Sequence, residues 1–189
     1  MAEKTATKKN SAPATSIDFS AEVDRLGERL IVRLPEAASK ELPSRGQVAV
    51  NAKMNDHAFD TVLEPDGKKG HWISVGAALE KALGLDGGTE VAVEVTPTKE
   101  WPEPEVPDDL RAALDAAPEL IGTWEDITPM ARWEWVRWIG ATKSAATRDK
   151  RVHVTIDKID NGKRRPCCFD LSSCTDPELA KSGKLVDSL

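Results

Sequence analysis

The residues best suited to chemistry lie in one basic segment in the last third of the chain. Residues 143–165 carry eight Lys and Arg against three Asp and Glu. Arg148 and Arg151 are three positions apart, so in a helix both side chains project from one side. With Lys143 and Thr147 they form a candidate binding patch for a phosphate, a carboxylate or nucleic acid. The alternative is a solvated face that pairs with acidic residues elsewhere, and the sequence leaves both interpretations open.

The chain also contains three histidines and three cysteines, which are His57, His71, His153, Cys167, Cys168 and Cys174. None has a second ligand at the spacing of a known metal site, so we expect no metal. We interpret the cysteines as exposed thiols of a flexible segment. His71 follows a glycine-containing turn and directly precedes Trp72, and these two residues mark a candidate pocket.

The sequence lacks the catalytic motifs G-x-S-x-G, P-loop, G-x-G-x-x-G and H-E-x-x-H. We therefore expect a non-enzymatic binding or interaction protein, without catalytic residues and without a cofactor. An enzyme of unrecognised type that uses His71 and nearby acids is the alternative.

Tryptophan is the commonest aromatic residue of the chain, at positions 72, 101, 124, 133, 135 and 138. Trp135 and Trp138 share one face of a predicted helix, which indicates a role in a core. Trp133 points away from that face, so it packs on the barrel or faces a partner. Stacking of bases or sugars on these rings is the alternative.

Charge is spread unevenly along the chain, whose net charge is -6. Residues 16–106 hold ten Lys and Arg against seventeen Asp and Glu, a net charge of -7. This acidity argues against non-specific nucleic-acid binding, which depends on neutralising phosphates. It favours electrostatic attraction of a cationic peptide or of a protein partner.

Neither a membrane span nor a secretory leader is predicted. No apolar run approaches the roughly 20 residues that cross a bilayer, and residues 1–16 lack the apolar stretch of a signal peptide. An odd number of cysteines does not indicate a disulfide framework. Together these features predict a cytoplasmic protein without membrane insertion.

Six segments of the first half alternate apolar and polar residues with the period of two that is typical of strands. They are residues 17–24, 29–34, 48–54, 57–63, 70–73 and 89–96. Apolar residues at helical spacing predict one helix before the last strand, capped by Ser74 and ended by Gly84 and Leu85. Closure into a barrel removes the exposed edges that short strands would otherwise leave.

Helical signals dominate the second half. Thr128 and Pro129 predict the start of a helix that runs to about Thr142. Ala145 to Ile159 predicts a further helix, although residues 152–156 also fit a strand. The predicted organisation is a disordered arm (1–15), a barrel (16–96), a proline-rich linker (97–106), a tail of three to four helices (107–165) and a flexible extension (166–189).

Three groups of residues follow one another in a recognisable order. They are Gly70-His71-Trp72-Ile73-Ser74-Val75 with Ala82-Leu83-Gly84-Leu85-Asp86-Gly87-Gly88, Val106-Pro107-Asp108-Asp109-Leu110 with Ala113-Leu114, and Trp138-Ile139 with Ala141-Thr142-Lys143, Ala146-Thr147-Arg148 and Arg151. Over residues 16–165 this pattern resembles the YdeI/OmpD-associated, or bacteriocin-protection, family, preceded by a barrel domain of unknown function.

The resemblance implies an α+β fold: a six-stranded double-split β-barrel with one inserted helix, like that of the AbrB/MazE group, followed by a helical tail. It also implies a bacterial protein linked to tolerance of antimicrobial peptides, in a family to which no catalytic residues are attached. A nucleic-acid-binding regulator is the alternative, because AbrB-like barrels can bind DNA as dimers. The oligomeric state, including a homodimer, is left open.

Overall fold

The first half of the chain folds into a closed antiparallel barrel. The structure is a computed structural model that describes residues 15–167 and 170–187. The six barrel strands are β1 (Ile17–Leu26), β2 (Arg29–Arg33), β3 (Val48–Met54), β4 (His57–Pro65), β5 (His71–Val75) and β6 (Glu90–Pro97). They close in the order β1-β2-β5-β4-β3-β6. All six strands that the sequence predicts are therefore present. Apart from Thr15, the predicted disordered arm lies outside the described residues.

Alternation of side chains fills the barrel interior. Inward residues of β1 lie directly opposite valines of β6, as Ile17 does to Val95 and Phe19 to Val93. The first part of β1 pairs with β6 and its last part with β2. In the same way β4 pairs first with β3 and then with β5. These two shared strands close the sheet and remove its edges.

Two short helices interrupt the barrel strands, where the sequence predicts one. Helix α1 (Glu36–Glu41) lies between Pro35 and Leu42, and its six residues are too few to show a helical period. Helix α2 (Ala77–Leu83) begins later than predicted, because Val75 pairs with Leu30 in the β2–β5 ladder. The predicted capping by Ser74 is therefore wrong.

The predicted end of α2 is correct. Gly84 adopts a left-handed φ of 60°. The amide of Leu85 donates to the carbonyl of Glu80 at 3.0 Å, which is the long bond of a Schellman ending.

The tail consists of four α-helices: α3 (Asp108–Asp115), α4 (Ile121–Asp126), α5 (Pro129–Gly140) and α6 (Ala145–Asp160). The hydroxyl of Thr128 caps α5 as predicted. The helix predicted at residues 145–159 is confirmed, and the strand alternative at 152–156 is wrong. The tail core surrounds Trp135, which is completely buried. The predicted fold class, α+β with a six-stranded barrel and a helical tail, is confirmed.

The described residues after 169 differ from the flexible extension that the sequence predicts. Residues 170–187 form a clasp, which includes the hairpin of β7 (Ala180–Lys181) and β8 (Lys184–Leu185), against the outside of the barrel. Its buried side chains join residues of β1, β2 and β5 in a third apolar cluster: Leu26, Ile31, Trp72, Cys174, Leu179 and Leu185. Burial of these apolar groups stabilises the folded clasp.

The clasp approaches the β4–β5 turn so closely that glycine is required there. Gly67 has a φ of 71°, and a Cβ on it would lie 1.9 Å from the carbonyl oxygen of Gly183. Beside this contact, the amide of Leu185 donates to the carbonyl of Asp66 at 2.8 Å. The Pro65-Asp66-Gly67 turn is thus also the docking point of the clasp.

The interpretation of the cysteines as exposed thiols is wrong for two of them. Cys174 is buried in the third apolar cluster. Burial raises the pKa of its thiol to about 11, so the neutral form predominates at neutral pH. Cys167 is disulfide-bonded. Cys168 lies outside the described residues.

Candidate functional site

One face of the barrel carries six of the seventeen acidic residues of the 16–106 segment. The outward side chains of β1, β6 and the β3–β4 hairpin form this acidic face: Asp18, Glu22, Asp56, Asp60, Glu90 and Glu94. Lys53 is the cation among them, and its ammonium lies 3.2 Å from Glu94.

The strand register places carboxylates directly opposite one another on the acidic face. Asp18 pairs with Glu94 across β1 and β6, and Glu22 pairs with Glu90 on the same two strands. Like charges in directly opposed positions destabilise a sheet. A cationic partner that docks here would relieve this repulsion.

An open groove of about 600 Å³ runs along the acidic face. Asp18, Asp56 and Glu94 line it together with Lys53 and the half-buried residue Phe19. The Asn55 turn forms one wall of the groove. A hydrogen bond that the Asn55 side chain accepts from the Ala92 amide at 2.9 Å holds this turn in place. The groove therefore combines negative charge with an apolar surface.

The basic patch predicted on α6 is used mainly inside the tail. Arg148 donates two hydrogen bonds to the carboxylate of Asp109 on α3, at 2.6 and 3.0 Å. Arg151 donates to the carbonyl of Trp138 at 2.6 Å and lies over that ring. Lys143 and Thr147 are exposed. Both arginines thus connect helices of the tail, and anion binding by this patch stays a prediction.

The ion pair between Arg148 and Asp109 gives a pH-dependent prediction. The guanidinium holds the pKa of Asp109 below its usual value. The pair therefore stabilises the fold fully above the unfolded-state pKa of about 4, and this contribution is lost as pH falls through the lower folded-state pKa. Both groups are partly exposed, so Asp109→Asn is expected to lower the free energy of unfolding by about 0.5–1 kcal/mol at neutral pH.

Urea unfolding of Asp109→Asn at a series of pH values tests this prediction. The difference from the parent chain is expected to shrink steadily below about pH 4. Asp108→Asn is the matched control, since its exposed carboxylate occupies the same helix end. A loss of stability that is equal for both variants, or independent of pH, would contradict the ion-pair argument.

The candidate pocket residues His71 and Trp72 point to opposite sides of the barrel wall. The Nε2 of His71 donates to the carbonyl of Gly46 at 3.0 Å, because a carbonyl can only accept. Its Nδ1 then accepts from the hydroxyl of Ser39 at 3.1 Å. Burial lowers the pKa of this imidazole, which agrees with a neutral ring. His71 is therefore held by structural hydrogen bonds, and its catalytic use stays a prediction.

Trp72 instead lines a junction cavity, a space of about 310 Å³ where barrel, α5 and clasp meet. Its indole N–H donates to the carbonyl of Pro65 at 3.2 Å. On the facing helix, Trp133 donates to the carbonyl of Pro102 at 2.7 Å. The prediction that Trp133 packs away from the tail core is confirmed.

Sequence reasoning missed the buried charges of α5. Arg137, with a side chain only 5% exposed, forms an ion pair with Glu64 of β4 at 3.3 Å and donates to the carbonyl of Ser173 at 2.6 Å. Arg132 donates to carbonyl groups of the α4 end, and Glu134 pairs with Arg165. The signal for this burial is that tryptophans occupy two faces of one helix, Trp133 on one and Trp135 with Trp138 on the other, which indicates that α5 is covered on two sides.

No helix among residues 15–167 and 170–187 combines the length and the apolar character needed to cross a membrane. Within the same residues, no group of three or more His, Cys, Asp or Glu side chains is placed to share a metal ion.

The protein has two parts, a closed barrel with an acidic groove and a helical tail. The junction cavity lies between them. Residues 19–95 match the model of a domain of unknown function, DUF1905. Residues 103–162 match the model of the family described as Bacteriocin-protection, YdeI or OmpD-Associated. The barrel is therefore similar to the DUF1905 domain and the tail is similar to that family, in the order that the resemblance predicted. A search of curated proteins found no match.

Proposed function

We propose that this chain is a non-enzymatic protein that binds cationic peptides on the acidic face of its barrel. The observation that carries the proposal is the strand register of β1 and β6, which sets Asp18 opposite Glu94 and Glu22 opposite Glu90. Directly opposed like charges destabilise a sheet, so a binding function would explain why these residues are retained. From the description of the family that matches the tail, we infer that the bound peptide is a cationic bacteriocin. Binding would protect the cell by sequestering this peptide.

The groove supports peptide binding in two further ways. Its carboxylates attract lysine and arginine side chains over a distance that salt shortens. Phe19, Ala92 and Val93 also line this groove and make part of its surface apolar. A peptide that alternates cationic and apolar residues matches this surface better than a small inorganic cation.

A titration of an oligolysine peptide over a series of salt concentrations tests the proposal. The test variant carries Asp18→Asn, Glu22→Gln and Glu90→Gln. The control variant carries Asp115→Asn, Glu119→Gln and Glu125→Gln, which remove the same charge from exposed positions of the tail. Each surface charge contributes about 0.5 kcal/mol, so the test variant is expected to bind about tenfold more weakly. The control is expected to change affinity less than about twofold.

Stability measurements accompany the titration. Neutralising the opposed carboxylates removes repulsion, so the test variant is expected to be at least as stable as the parent chain. Weak binding by a folded variant then reports the loss of a binding surface. An absence of binding at low ionic strength, or equal losses in both variants, would refute a specific acidic-face site.

A further inference from the structure

The N-terminal segment (residues 1–14) is cationic and leads directly into the acidic face of the barrel. It carries three lysines against one acid: Lys4, Lys8 and Lys9 against Glu3. The segment itself lies outside the described residues. Strand β1 begins three residues after it, and Asp18, the second residue of β1, already lines the acidic groove. A cationic segment is thus tethered beside an anionic groove.

The groove carries negative charge that its own cation does not neutralise. Three carboxylates, those of Asp18, Asp56 and Glu94, line it with one ammonium group, that of Lys53. The ammonium of Lys53 pairs with Glu94 at 3.2 Å. Asp18 and Asp56 are exposed, and within residues 15–167 and 170–187 neither forms an ion pair. The groove therefore has two carboxylates to offer to lysine side chains.

The groove is within reach of the N-terminal segment. The strand register sets Asp18, Glu94 and Lys53 side by side on β1, β6 and β3. Neighbouring strands are about 4.8 Å apart, so these three positions span roughly 10 Å. Lys9 precedes Asp18 by nine residues, and nine extended residues span about 30 Å. The segment is therefore long enough to reverse direction and place Lys8 or Lys9 over the groove.

Ser16 supplies an independent indication at the point where the segment joins β1. The oxygen of its hydroxyl is buried, and in the part of the chain that the structure describes this oxygen has no hydrogen-bond partner. Buried polar side chains nearly always have a partner. A segment that turns back over the start of β1 would bring backbone amide and carbonyl groups to this hydroxyl.

Tethering makes a weak interaction effective. Exposed charge pairs contribute little individually, so a peptide with three lysines binds such a groove weakly when it is free in solution. A segment tethered next to its site acts at an effective concentration on the order of 1 mM. The N-terminal segment can therefore occupy the groove and still be displaced by a peptide with more cations and more apolar area.

We propose that the N-terminal segment occupies the acidic groove of its own chain and must be displaced before a cationic peptide binds there. The inference rests on the function proposed for the acidic face and extends it to regulation, because the segment favours peptides with more positive charge than its own. Its contact with the groove can be measured without any added peptide.

Cross-linking with a carbodiimide tests the contact in the chain alone. The reagent activates a carboxylate, a neighbouring lysine amine forms an amide with that carboxylate, and the carbodiimide leaves as a urea. Mass spectrometry is expected to find Lys8 or Lys9 joined to Asp56 within one chain. Glu100 is the matched control, since it is exposed and follows the end of β6, which lies opposite the start of β1.

The yield of the link to Asp56 is expected to exceed that of the link to Glu100 at least about fivefold. In 1 M salt this excess is expected to disappear, because charges are then screened beyond about 3 Å. Equal yields for the two acids at low salt would overturn the proposal. Links that join two chains instead of one would also overturn it, since a second copy would then be the occupant.

Titration with oligolysine measures the consequence for binding. The test variant replaces the three lysines of the N-terminal segment by glutamine. The control variant makes the same change at three exposed lysines outside the barrel: Lys150→Gln, Lys163→Gln and Lys181→Gln. Removal of the competing segment is expected to tighten binding about threefold. The control is expected to change affinity less than about 1.5-fold at 0.15 M salt, where the Debye length is about 8 Å.

The two experiments distinguish failure of this inference from failure of the proposed function. Equal affinities of the test and control variants would overturn regulation by the N-terminal segment. If the links to Asp56 form but no variant binds oligolysine, occupancy of the groove by the segment is supported and the peptide-binding function fails.

Discussion

Removal of residues 166–189 is expected to lower the free energy of unfolding by about 3 kcal/mol or more. The clasp buries Cys174, Leu179 and Leu185 almost completely, and a buried leucine contributes roughly 1.5–3 kcal/mol. The deletion also uncovers Ile31 and Trp72 on the outside of the barrel. Urea unfolding followed by circular dichroism measures the loss, and binding of a hydrophobic dye measures the newly exposed surface.

The deletion also removes partners of buried charge. Arg137 would lose the carbonyl of Ser173, although its ion pair with Glu64 would remain. A buried guanidinium that loses an acceptor carries a desolvation cost of about 1–3 kcal/mol, unless water enters. The junction cavity would then open on the side that residues 175–177 close.

Two single substitutions test whether the clasp stabilises the fold through its buried side chains. Leu179→Ala, at a buried position, is expected to cost about 2–5 kcal/mol. Leu171→Ala is the control, because that side chain is 44% exposed and the change is expected to stay within about 0.5 kcal/mol. If the shortened chain unfolds at the same urea concentration as the parent, the clasp contributes nothing to the fold.

The barrel was predictable because each strand carries its own signal. The alternation around Ile17 to Asp24 or Val91 to Val95 fixes which side chains face inward without knowledge of the neighbouring strand. The Asn55-Asp56 turn was predictable in the same way, since both residues adopt the positive φ that these residue types tolerate. Local chemistry decides these elements.

The clasp was not predictable from its own residues, because its stability comes from a distant surface. Ile31 and Trp72 sit on adjacent strands and face outward, so a cover for them was required. Identifying Leu179 and Leu185 as that cover needs the pairing of β2 with β5, which residue order alone does not reveal. Helix α1 was not predicted for a different reason, because its six residues are too few to show a helical period.

The candidate site was predictable in composition and not in geometry. The excess of acids over residues 16–106 indicated an acidic barrel, yet only the register opposes Asp18 to Glu94. The motif arginines were found, but their main partners, Asp109 and the carbonyl of Trp138, lie 39 and 13 positions away. Contacts of this kind depend on how helices pack, which residue spacing alone does not determine.

Trp135→Ala is expected to be the most damaging single substitution in the tail, with a loss of about 3–5 kcal/mol. The side chain is completely buried at the centre of the tail core. Its ring meets that of Trp138 edge to face at 5.9 Å between centroids, and its N–H donates to the carbonyl of Arg164 at 3.1 Å. Alanine would lose both contacts and leave a cavity. Thermal or urea unfolding provides the measurement.

Trp135→Phe separates the contribution of the indole hydrogen bond to this loss of stability from the contribution of ring packing. Phenylalanine keeps most of the apolar volume and loses the hydrogen bond, which contributes about 1 kcal/mol. The carbonyl of Arg164 belongs to an exposed residue, so water can replace the indole there. Met130→Ala, on the exposed side of the same helix, is the control and is expected to change stability within about 0.5 kcal/mol. A phenylalanine variant as unstable as the alanine variant would show that the hydrogen bond, rather than the packing of the ring, holds the segment after α6 against α5.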